Sequence, residues 1–220
     1  MSVNMKVDKS KRFQFSERSE RARYIGLVYK DFLKGKVLDV GSSGSDLRNY
    51  VHDEYIGLDI LEGPEIDLTV DLEKQSIPLE DNSVDCVVCT DVLEHVDNLH
   101  EVFAELIRIS SDYIIISVPN CFNYEILFRI YFGKGIKFYG LPNDRPDDRH
   151  KWFLSHNQSV NFFKNHADKY DYSVVDSYGH PLRYRGLKGY FILMFVWLFS
   201  FGRYKELSTM SSWVVLKINK

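Results

Sequence analysis

The sequence lacks an apolar segment long enough to cross a membrane as a helix. Its longest apolar run, Tyr190 to Phe201, has 12 residues, whereas a membrane-spanning helix needs about 20. The N-terminus is polar and has no apolar core of a signal peptide, so we expect a cytoplasmic protein. The run is apolar on all sides, which predicts a helix that is buried or dips into a membrane surface.

Cysteine is scarce, and the spacing of Cys86, Cys89 and Cys121 is not that of a disulfide framework. An odd number without regular spacing indicates a reducing compartment. Cys86 and Cys89 spell C-x-x-C, but they lie inside an apolar predicted strand, where positions three apart face opposite sides. We therefore expect neither a redox pair nor a metal site there. No other metal-ligand spacing is present, since His156 and His166 are too far apart for an i, i+4 pair.

Charge of one sign is also lacking, because 28 basic residues nearly balance 31 acidic ones and the net charge is −3. This balance does not predict a nucleic-acid-binding surface. The N-terminal stretch is locally basic, but Glu17 and Glu20 interrupt it, which is typical of a solvated helix face. With 220 residues and an apolar fraction of 45%, the chain is predicted to form a single domain over residues 1–220.

Apolar strands and helices alternate through the first half of the chain, which predicts βαβ units and a parallel sheet. After residue 118 this rhythm stops, and two insertions, 119–154 and 179–210, are predicted to form lids. The predicted strands cover 36–41, 55–59, 66–70, 84–90, 113–118, 172–177 and 213–218; the predicted helices cover 13–33, 45–50, 99–109 and 155–170.

Several polar or small residues follow the predicted strands, where a ligand of a parallel sheet binds. The first strand runs into Gly41-Ser42-Ser43-Gly44, whose small side chains let a backbone approach a nucleotide-like ligand. Asp59 ends the second strand, where an acid can accept both ribose hydroxyls of an adenosine. Asp71 and Leu72 follow the third strand, and Thr90 to Val96 follow the fourth.

The stretch from Val37 to Asn120 resembles the class I S-adenosylmethionine-dependent methyltransferases, in particular their type 11 group. Leu38 to Gly41 is similar to the first motif of that family, and Asn82 to Val88 resembles its sFDvV strand. Val92 to Val96 is similar to its vLEHv motif, and Ser117 to Asn120 to the usual end of its fifth strand.

The resemblance implies an α/β fold of the Rossmann-like, doubly wound kind: a seven-stranded, mostly parallel sheet with helices on both faces and an antiparallel closing strand. It implies S-adenosyl-L-methionine as cofactor, with Asp59 on the ribose, Asp71 and Leu72 beside the adenine, and Asp91 and His95 near the methionine moiety. The implied cofactor-binding residues are Asp39, Gly41, Ser42, Ser43, Gly44, Asp59, Ile60, Asp71, Leu72, Thr90, Asp91 and His95.

The insertions bear on the methyl acceptor. Asp148 to Phe153 resembles a segment of methyltransferases from bacterial polysaccharide gene clusters, so we expect a small-molecule or glycan acceptor, such as a sugar or glycolipid hydroxyl. His150 is the candidate general base, although it can instead pin the lid. Nearby polar residues can bind the acceptor or form a surface ion-pair network: Asp144, Arg145, Asp147 and Arg149.

The apolar segment 187–201 has basic residues on both sides, which fits a helix anchored peripherally at the inner face of a membrane. A buried lid and a dimer interface fit the same pattern, and oligomerisation stays open. The flanking cations are Arg183, Arg185, Lys188, Arg203 and Lys205.

The first motif leaves alternatives open, because the family usually has glycine where Ser43 and Ser45 stand. The loop can therefore differ locally, and a catalytically inactive binding module with the same fold is the main alternative. A nicotinamide dehydrogenase would be expected to show G-x-G-x-x-G, which Gly41 to Gly44 does not provide. A protein or RNA acceptor is a further alternative, which the acidic charge balance disfavours.

Overall fold

The computed structural model describes residues 5–15, 17–44, 46–136, 138–140, 143, 149–182 and 186–219. Its centre is a seven-stranded sheet in the order β3-β2-β1-β4-β5-β7-β6. The strands are β1 (Lys36–Val40), β2 (Glu54–Asp59), β3 (Leu68–Thr69), β4 (Val84–Thr90), β5 (Ser110–Pro119), β6 (Tyr172–Pro181) and β7 (Thr209–Ile218). Strand β7 pairs antiparallel with both neighbours, and all other adjacent strands are parallel. The expected sheet, with an antiparallel closing strand, is confirmed.

The α-helices among the described residues are α1 (Arg18–Val28), α2 (Leu99–Ile109), α3 (Tyr124–Tyr131), α4 (His156–Asn165), α5 (Ala167–Tyr170), α6 (Gly186–Phe199) and α7 (Tyr204–Ser208). Short 3₁₀ helices lie at Lys9–Lys11, Lys30–Phe32, Asp46–Tyr50 and Leu93–His95. Within the described ranges, no helix combines the length and apolarity needed to span a bilayer. Helix α2 matches its predicted bounds because its buried positions, among them Leu99, Val102, Phe103 and Leu106, recur at helical spacing.

The hydrophobic core consists of two clusters, one on each face of the sheet, and alternate residues of the central strands belong to one cluster or the other. In β4, Val87 and Cys89 belong to the cluster that contains α2 residues, whereas Cys86 and Val88 belong to the one that contains α1 residues. This alternation is the period of two of a strand covered on both faces. Cys86 and Cys89 therefore point to opposite faces, as the sequence predicted, and the three cysteines are free and buried.

The N-terminal helix is shorter than the predicted 13–33. Helix α1 begins at Arg18, where Glu17 and Glu20 form a reciprocal capping box, and it ends at Val28. Phe15 lies before the helix and is buried, because its ring packs against Tyr24 and His180. The apolar pattern that suggested a longer helix thus partly reflects packing of a non-helical segment.

The strands beside the insertions are longer than predicted, because each pairs along its full length. Strand β5 reaches Pro119, and β6 and β7 extend the sheet through 179–181 and 209–210, which the sequence assigned to an insertion. The predicted helix 155–170 is interrupted at His166, between α4 and α5. In the first insertion, α3 is followed by a segment that returns to the sheet, where the N–H of Cys121 donates to the carbonyl of Leu154.

Candidate active site

The carboxyl ends of β1, β2 and β4 meet at one edge of the sheet. Strand β1 lies between β2 and β4, so the strand order reverses beside it. In a doubly wound sheet, a ligand binds in the crevice at such a reversal. A cleft is present here, and its lining includes Gly41, Ser42, Thr90 and Arg21 of α1.

The loop after β1 turns sharply around Gly41. Its φ is +75°, and the N–H groups of Gly41 and Ser42 both donate to the carbonyl of Leu58, at 2.8 and 3.0 Å. A Cβ on Gly41 would lie 2.4 Å from Cγ2 of Val92. Glycine is therefore required both for the backbone conformation and for the close approach of the segment after β4.

Ser42 and Gly44 complete the loop. The hydroxyl of Ser42 is buried and has no hydrogen-bond partner among the described residues. A buried polar atom without a partner is rare in a native protein, and a ligand in the cleft can satisfy it. Gly44 has a φ of +87° and open space where a Cβ would be. The sequence prediction that Ser45 or Asp46 starts a helix is met by the 3₁₀ helix from Asp46, and Ser45 lies outside the described residues.

Asp59 connects the end of β2 to the loop after β1. Its side chain is buried, with Oδ2 accepting from the N–H of Ser43 at 2.9 Å and Oδ1 accepting from the N–H of Leu61 at 3.0 Å. Each carboxylate oxygen keeps further acceptor capacity, so the same group can accept from ribose hydroxyls. Ile60, which follows Asp59, is 60% exposed and offers an apolar surface at the rim.

Asp39 supports the loop from within the sheet. Its carboxylate is buried, and Oδ2 accepts a hydrogen bond of 2.8 Å from the hydroxyl of Tyr55 in β2. This bond links β1 to β2 just before the turn at Gly41. Asp39 also lines the cleft.

Asp71 and Leu72 have local partners in the turn after β3. The carboxylate of Asp71 accepts from Nζ of Lys74 at 2.7 Å and from the N–H of Glu73 at 3.1 Å. The Lys74 ammonium holds the pKa of Asp71 below its ordinary value. Leu72 is buried in the core, and its carbonyl accepts from the side chain of Asn98 at 3.0 Å. The position of these two residues beside an adenine stays a prediction.

The end of β4 meets α1 through an ion pair. Thr90 is paired with Ser117 of β5, and Asp91 follows with a φ of 54°. Oδ1 of Asp91 accepts from the hydroxyl of Ser117 at 2.8 Å, and Oδ2 contacts the guanidinium of Arg21. The sequence placed Arg21 in a solvated basic face, but its side chain is largely buried and lines the cleft. Its partner is seventy residues away, so no local pattern could reveal this pair.

Beyond Asp91, the segment after β4 carries Glu94 and His95. Glu94 is 1% exposed, and its Oε1 lies 3.8 Å from Nε2 of His95. The ring of His150, from the first insertion, meets the ring of His95 edge to face, with centroids 4.7 Å apart. Phe138 also stacks on the ring of His150, with centroids 4.5 Å apart. Three residues with ionisable or metal-ligating side chains thus share one corner of the site.

The returning segment of the first insertion is fixed to the segment after β4. The N–H of Lys151 donates to the carbonyl of Glu94, and the indole N–H of Trp152 donates to the carbonyl of Val96, both at 2.7 Å. Arg149 is exposed, and its carbonyl lies 3.2 Å from Nδ1 of His95. The candidate acceptor ligands Asp144, Arg145 and Asp147 lie outside the described residues, as do the cations Arg183 and Arg185 and the side chain of Lys188.

Comparison with known proteins gives a family match and a set of similar folds. Residues 38–112 match the family model of a methyltransferase domain, and a search of curated proteins found no match. A SAM-dependent methyltransferase from Archaeoglobus fulgidus has a TM-score of 0.59 and 18% identity, over 92% of this chain and 95% of that one.

Two further solved structures of similar fold are methyltransferases whose names refer to different substrates. Magnesium protoporphyrin IX methyltransferase from Synechocystis PCC 6803, solved with bound SAH, has a TM-score of 0.52 and 15% identity, over 91% of this chain and 83% of that one. Small RNA methyltransferase HEN1 has a TM-score of 0.56 and 17% identity, over 95% of this chain and 27% of that one. At these identities, the likeness concerns the fold and leaves the acceptor open.

Proposed function

We propose that this chain is a methyltransferase that uses S-adenosylmethionine and that its acceptor is a hydroxyl group of a small molecule or a glycan. The first part is supported by the match of residues 38–112 to a methyltransferase domain and by a fold similar to that of S-adenosylmethionine-dependent methyltransferases. The proposal rests on the closeness in sequence of two parts of the site, the cleft lined by Arg21 and the corner formed by Glu94, His95 and His150. Asp91 borders the cofactor cleft through Arg21, and three residues later Glu94 and His95 meet His150. An acceptor beside these imidazoles would lie next to the part of the cleft where the methionine moiety is expected.

The cleft fits the cofactor in three respects. Gly41 permits the sharp turn of the loop that lines the cleft, the buried hydroxyl of Ser42 has no partner among the described residues, and Asp59 keeps acceptor capacity for ribose hydroxyls. When bound, S-adenosylmethionine supplies an electrophilic methyl group on a sulfonium. The chain's own contribution is to hold this group and the acceptor in line, which can lower a barrier by several kcal/mol.

Arg21 and Asp91 suit the charged end of the methionine moiety. The guanidinium of Arg21 matches a carboxylate, and the carboxylate of Asp91 matches an ammonium group. Both side chains lie at the carboxyl edge of β1 and β4, where the moiety is expected. We therefore include Arg21 with the cofactor-binding residues that the sequence suggested.

His150 is the proposed general base of this reaction. A neutral imidazole can accept the proton of an acceptor hydroxyl as the oxygen attacks. The ring is oriented by stacking on Phe138 and by a 3.2 Å contact between Nδ1 and the hydroxyl of Tyr139. The first insertion, which carries His150, would act as a lid over this group.

Helix α6 supports a membrane-associated acceptor, such as a lipid-linked glycan of polysaccharide synthesis. Phe195, Trp197, Leu198 and Phe199 of this helix are all more than half exposed, and Phe201 beyond it is almost fully exposed. Exposed apolar surface of this extent marks an interaction site. Arg203 and Lys205 follow it and are exposed, and cations beside aromatic residues are typical of helices that lie in an anionic membrane surface.

We expect the protein to co-sediment with vesicles that contain phosphatidylglycerol, and less with pure phosphatidylcholine vesicles. Changing Phe195 and Trp197 together to serine removes two rings, each worth about 1.5–3 kcal/mol when buried, so vesicle affinity should fall by more than about tenfold. Tyr131→Ser, which alters an exposed ring of α3, is the matched control. Absence of sedimentation with both vesicle types would leave α6 as a lid or a subunit interface.

The acceptor class is tested by measuring SAH release from S-adenosylmethionine with a panel of free sugars, glycolipids and small alcohols or phenols. We expect turnover with a hydroxyl-bearing acceptor, and a fall of kcat by about 10²–10⁴ in His150→Ala. Turnover restricted to amine, thiol, protein or RNA acceptors would reject the hydroxyl proposal. Bound SAH without transfer to any acceptor would favour the inactive binding module.

A further inference from the structure

We propose that Glu94, His95 and His150 form a binding site for one divalent transition-metal ion. One ligand atom from each of these residues can be chosen so that all three lie within 4.8 Å of one another. The sequence predicted no metal site, because its metal-ligand criterion was local spacing and His150 is 55 residues beyond His95. The fold supplies the proximity, by returning the first insertion to the segment after β4.

The distances between the possible ligand atoms of Glu94, His95 and His150 are close to those between ligands of one metal ion. Oε1 of Glu94 and Nε2 of His95 are 3.8 Å apart. Two ligands at about 2.0–2.2 Å from a tetrahedral ion are about 3.4 Å apart. Small side-chain rotations therefore bring the three groups to coordinating distance. His95 lies on the 3₁₀ helix Leu93–His95, and His150 lies on a segment without helix or strand, so such rotations need no change in the sheet.

Hydrogen bonds at Nδ1 orient both imidazoles for metal binding. Nδ1 of His95 faces the carbonyl of Arg149 at 3.2 Å, so it carries the proton and Nε2 carries the lone pair. A ligating histidine almost always donates its other N–H to such an acceptor, which fixes its tautomer. The backbone of the insertion thereby presents Nε2 of His95 as a ligand.

The second histidine has an equivalent arrangement. Nδ1 of His150 lies 3.2 Å from the hydroxyl oxygen of Tyr139, and that hydroxyl donates its proton to the carbonyl of Trp152 at 2.6 Å. The tyrosine oxygen therefore accepts from Nδ1–H of His150, which again leaves the lone pair on Nε2. Two neighbouring imidazoles that both donate from Nδ1 and both keep the lone pair on Nε2 are difficult to explain by packing alone.

The corner formed by Glu94, His95 and His150 is buried on the side of Glu94 and accessible to solvent on the side of the two histidines. The carboxylate of Glu94 is almost fully buried, and a buried carboxylate is stabilised by a nearby positive charge. The side chain of His95 is 30% exposed, and His150 is partly exposed. Three protein ligands with an accessible side are the arrangement of a catalytic metal site, where a further position is left for water or substrate.

The ligand set indicates the class of ion. Two imidazoles and one carboxylate suit Zn²⁺, Co²⁺, Mn²⁺ or Fe²⁺, whereas Mg²⁺ and Ca²⁺ prefer oxygen ligands. The role of the ion rests on the proposed function: the acceptor hydroxyl binds as a further ligand, its pKa falls, and its proton leaves to solvent water. In this state His150 is a metal ligand and not the general base.

The test is calorimetric titration of EDTA-treated, dialysed protein with Zn²⁺ and Co²⁺, with Mg²⁺ for comparison. We expect one Zn²⁺ or Co²⁺ per chain and no measurable heat with Mg²⁺. His150→Ala and Glu94→Gln should each weaken binding by more than about tenfold and change the visible absorption spectrum of the Co²⁺ protein. His52→Ala is the matched control, because His52 is exposed and precedes β2 at the opposite edge of the sheet.

Equal binding by wild type and His150→Ala, or no stoichiometric binding at all, would overturn the metal site. Circular dichroism of each variant shows whether a loss of binding reflects unfolding, and His150→Ala, in a partly exposed segment, is expected to remain folded. The same samples are titrated with SAH. SAH binding without metal binding rejects the metal site alone, whereas metal binding without SAH binding or methyl transfer rejects the proposed function and retains the site.

Discussion

Gly41→Ala is expected to reduce the affinity for SAH by about a hundredfold or more. A non-glycine residue at positive φ costs about 1–2 kcal/mol, and the new Cβ would lie 2.4 Å from Cγ2 of Val92. Relief of that contact moves either the loop that carries Ser42 or the segment after β4. A tenfold change corresponds to about 1.4 kcal/mol, so the two effects together account for the expected loss. Calorimetric titration with SAH measures it.

Gly44→Ala is the matched control for this substitution. Gly44 also has a positive φ, of +87°, but no atom lies within 4 Å of the position of its Cβ. Gly44→Ala therefore introduces the free-energy cost of a non-glycine residue at positive φ without a steric clash, and SAH affinity should fall by about tenfold or less. Equal losses in the two variants would show that the contact with Val92 is unimportant. Wild-type affinity in Gly41→Ala would remove this loop from the cofactor site.

Trp213→Ala is expected to lower the free energy of unfolding by about 3–5 kcal/mol. The side chain is 1% exposed, and its ring stacks on Tyr29 at 5.8 Å and packs against Tyr24 at 5.2 Å and Phe15 at 6.1 Å. Its indole N–H donates to the hydroxyl of Ser211. The residue thus joins β7 to the N-terminal segment, and its loss opens a large cavity. Urea unfolding followed by circular dichroism measures the change.

The control for this prediction is Trp197→Ala in α6. Trp197 is 62% exposed, so its removal should change the free energy of unfolding by less than about 0.5 kcal/mol. A cost below about 1 kcal/mol for Trp213→Ala would mean that the aromatic cluster around α1 contributes little to stability. A large cost for Trp197→Ala would mean that α6 is packed in solution, for example against a second copy of the chain.

Much of the fold could be predicted from local patterns. Strand β4 matches its predicted bounds because it is apolar on both faces, and α2 does so because its apolar residues follow helical spacing. Strand β3 was predicted at 66–70 but has only Leu68 and Thr69, since its length depends on pairing with β2. Strand ends that depend on pairing with another strand cannot be derived from composition alone.

The proximity of residues in the candidate site could be predicted where these residues follow strands, and not where distant segments meet. Gly41 and Asp59 come directly at strand ends, so their proximity follows from a parallel sheet. The contact of Arg21 with Asp91 depends on how α1 crosses the edge of the sheet. The meeting of His95 and His150 depends on the return of the first insertion. Neither leaves a signal in residue spacing.

The most direct test of the cofactor site is calorimetric titration of the wild-type chain with SAH, beside Asp59→Ala. The carboxylate of Asp59 both holds the loop through the N–H of Ser43 and offers acceptors to the ribose, so its removal takes away two contributions to binding. We expect micromolar binding by the wild type and its loss in Asp59→Ala. Absence of binding to the wild type at millimolar SAH, or unchanged binding in the variant, would contradict a cofactor site at the carboxyl ends of β1 and β2.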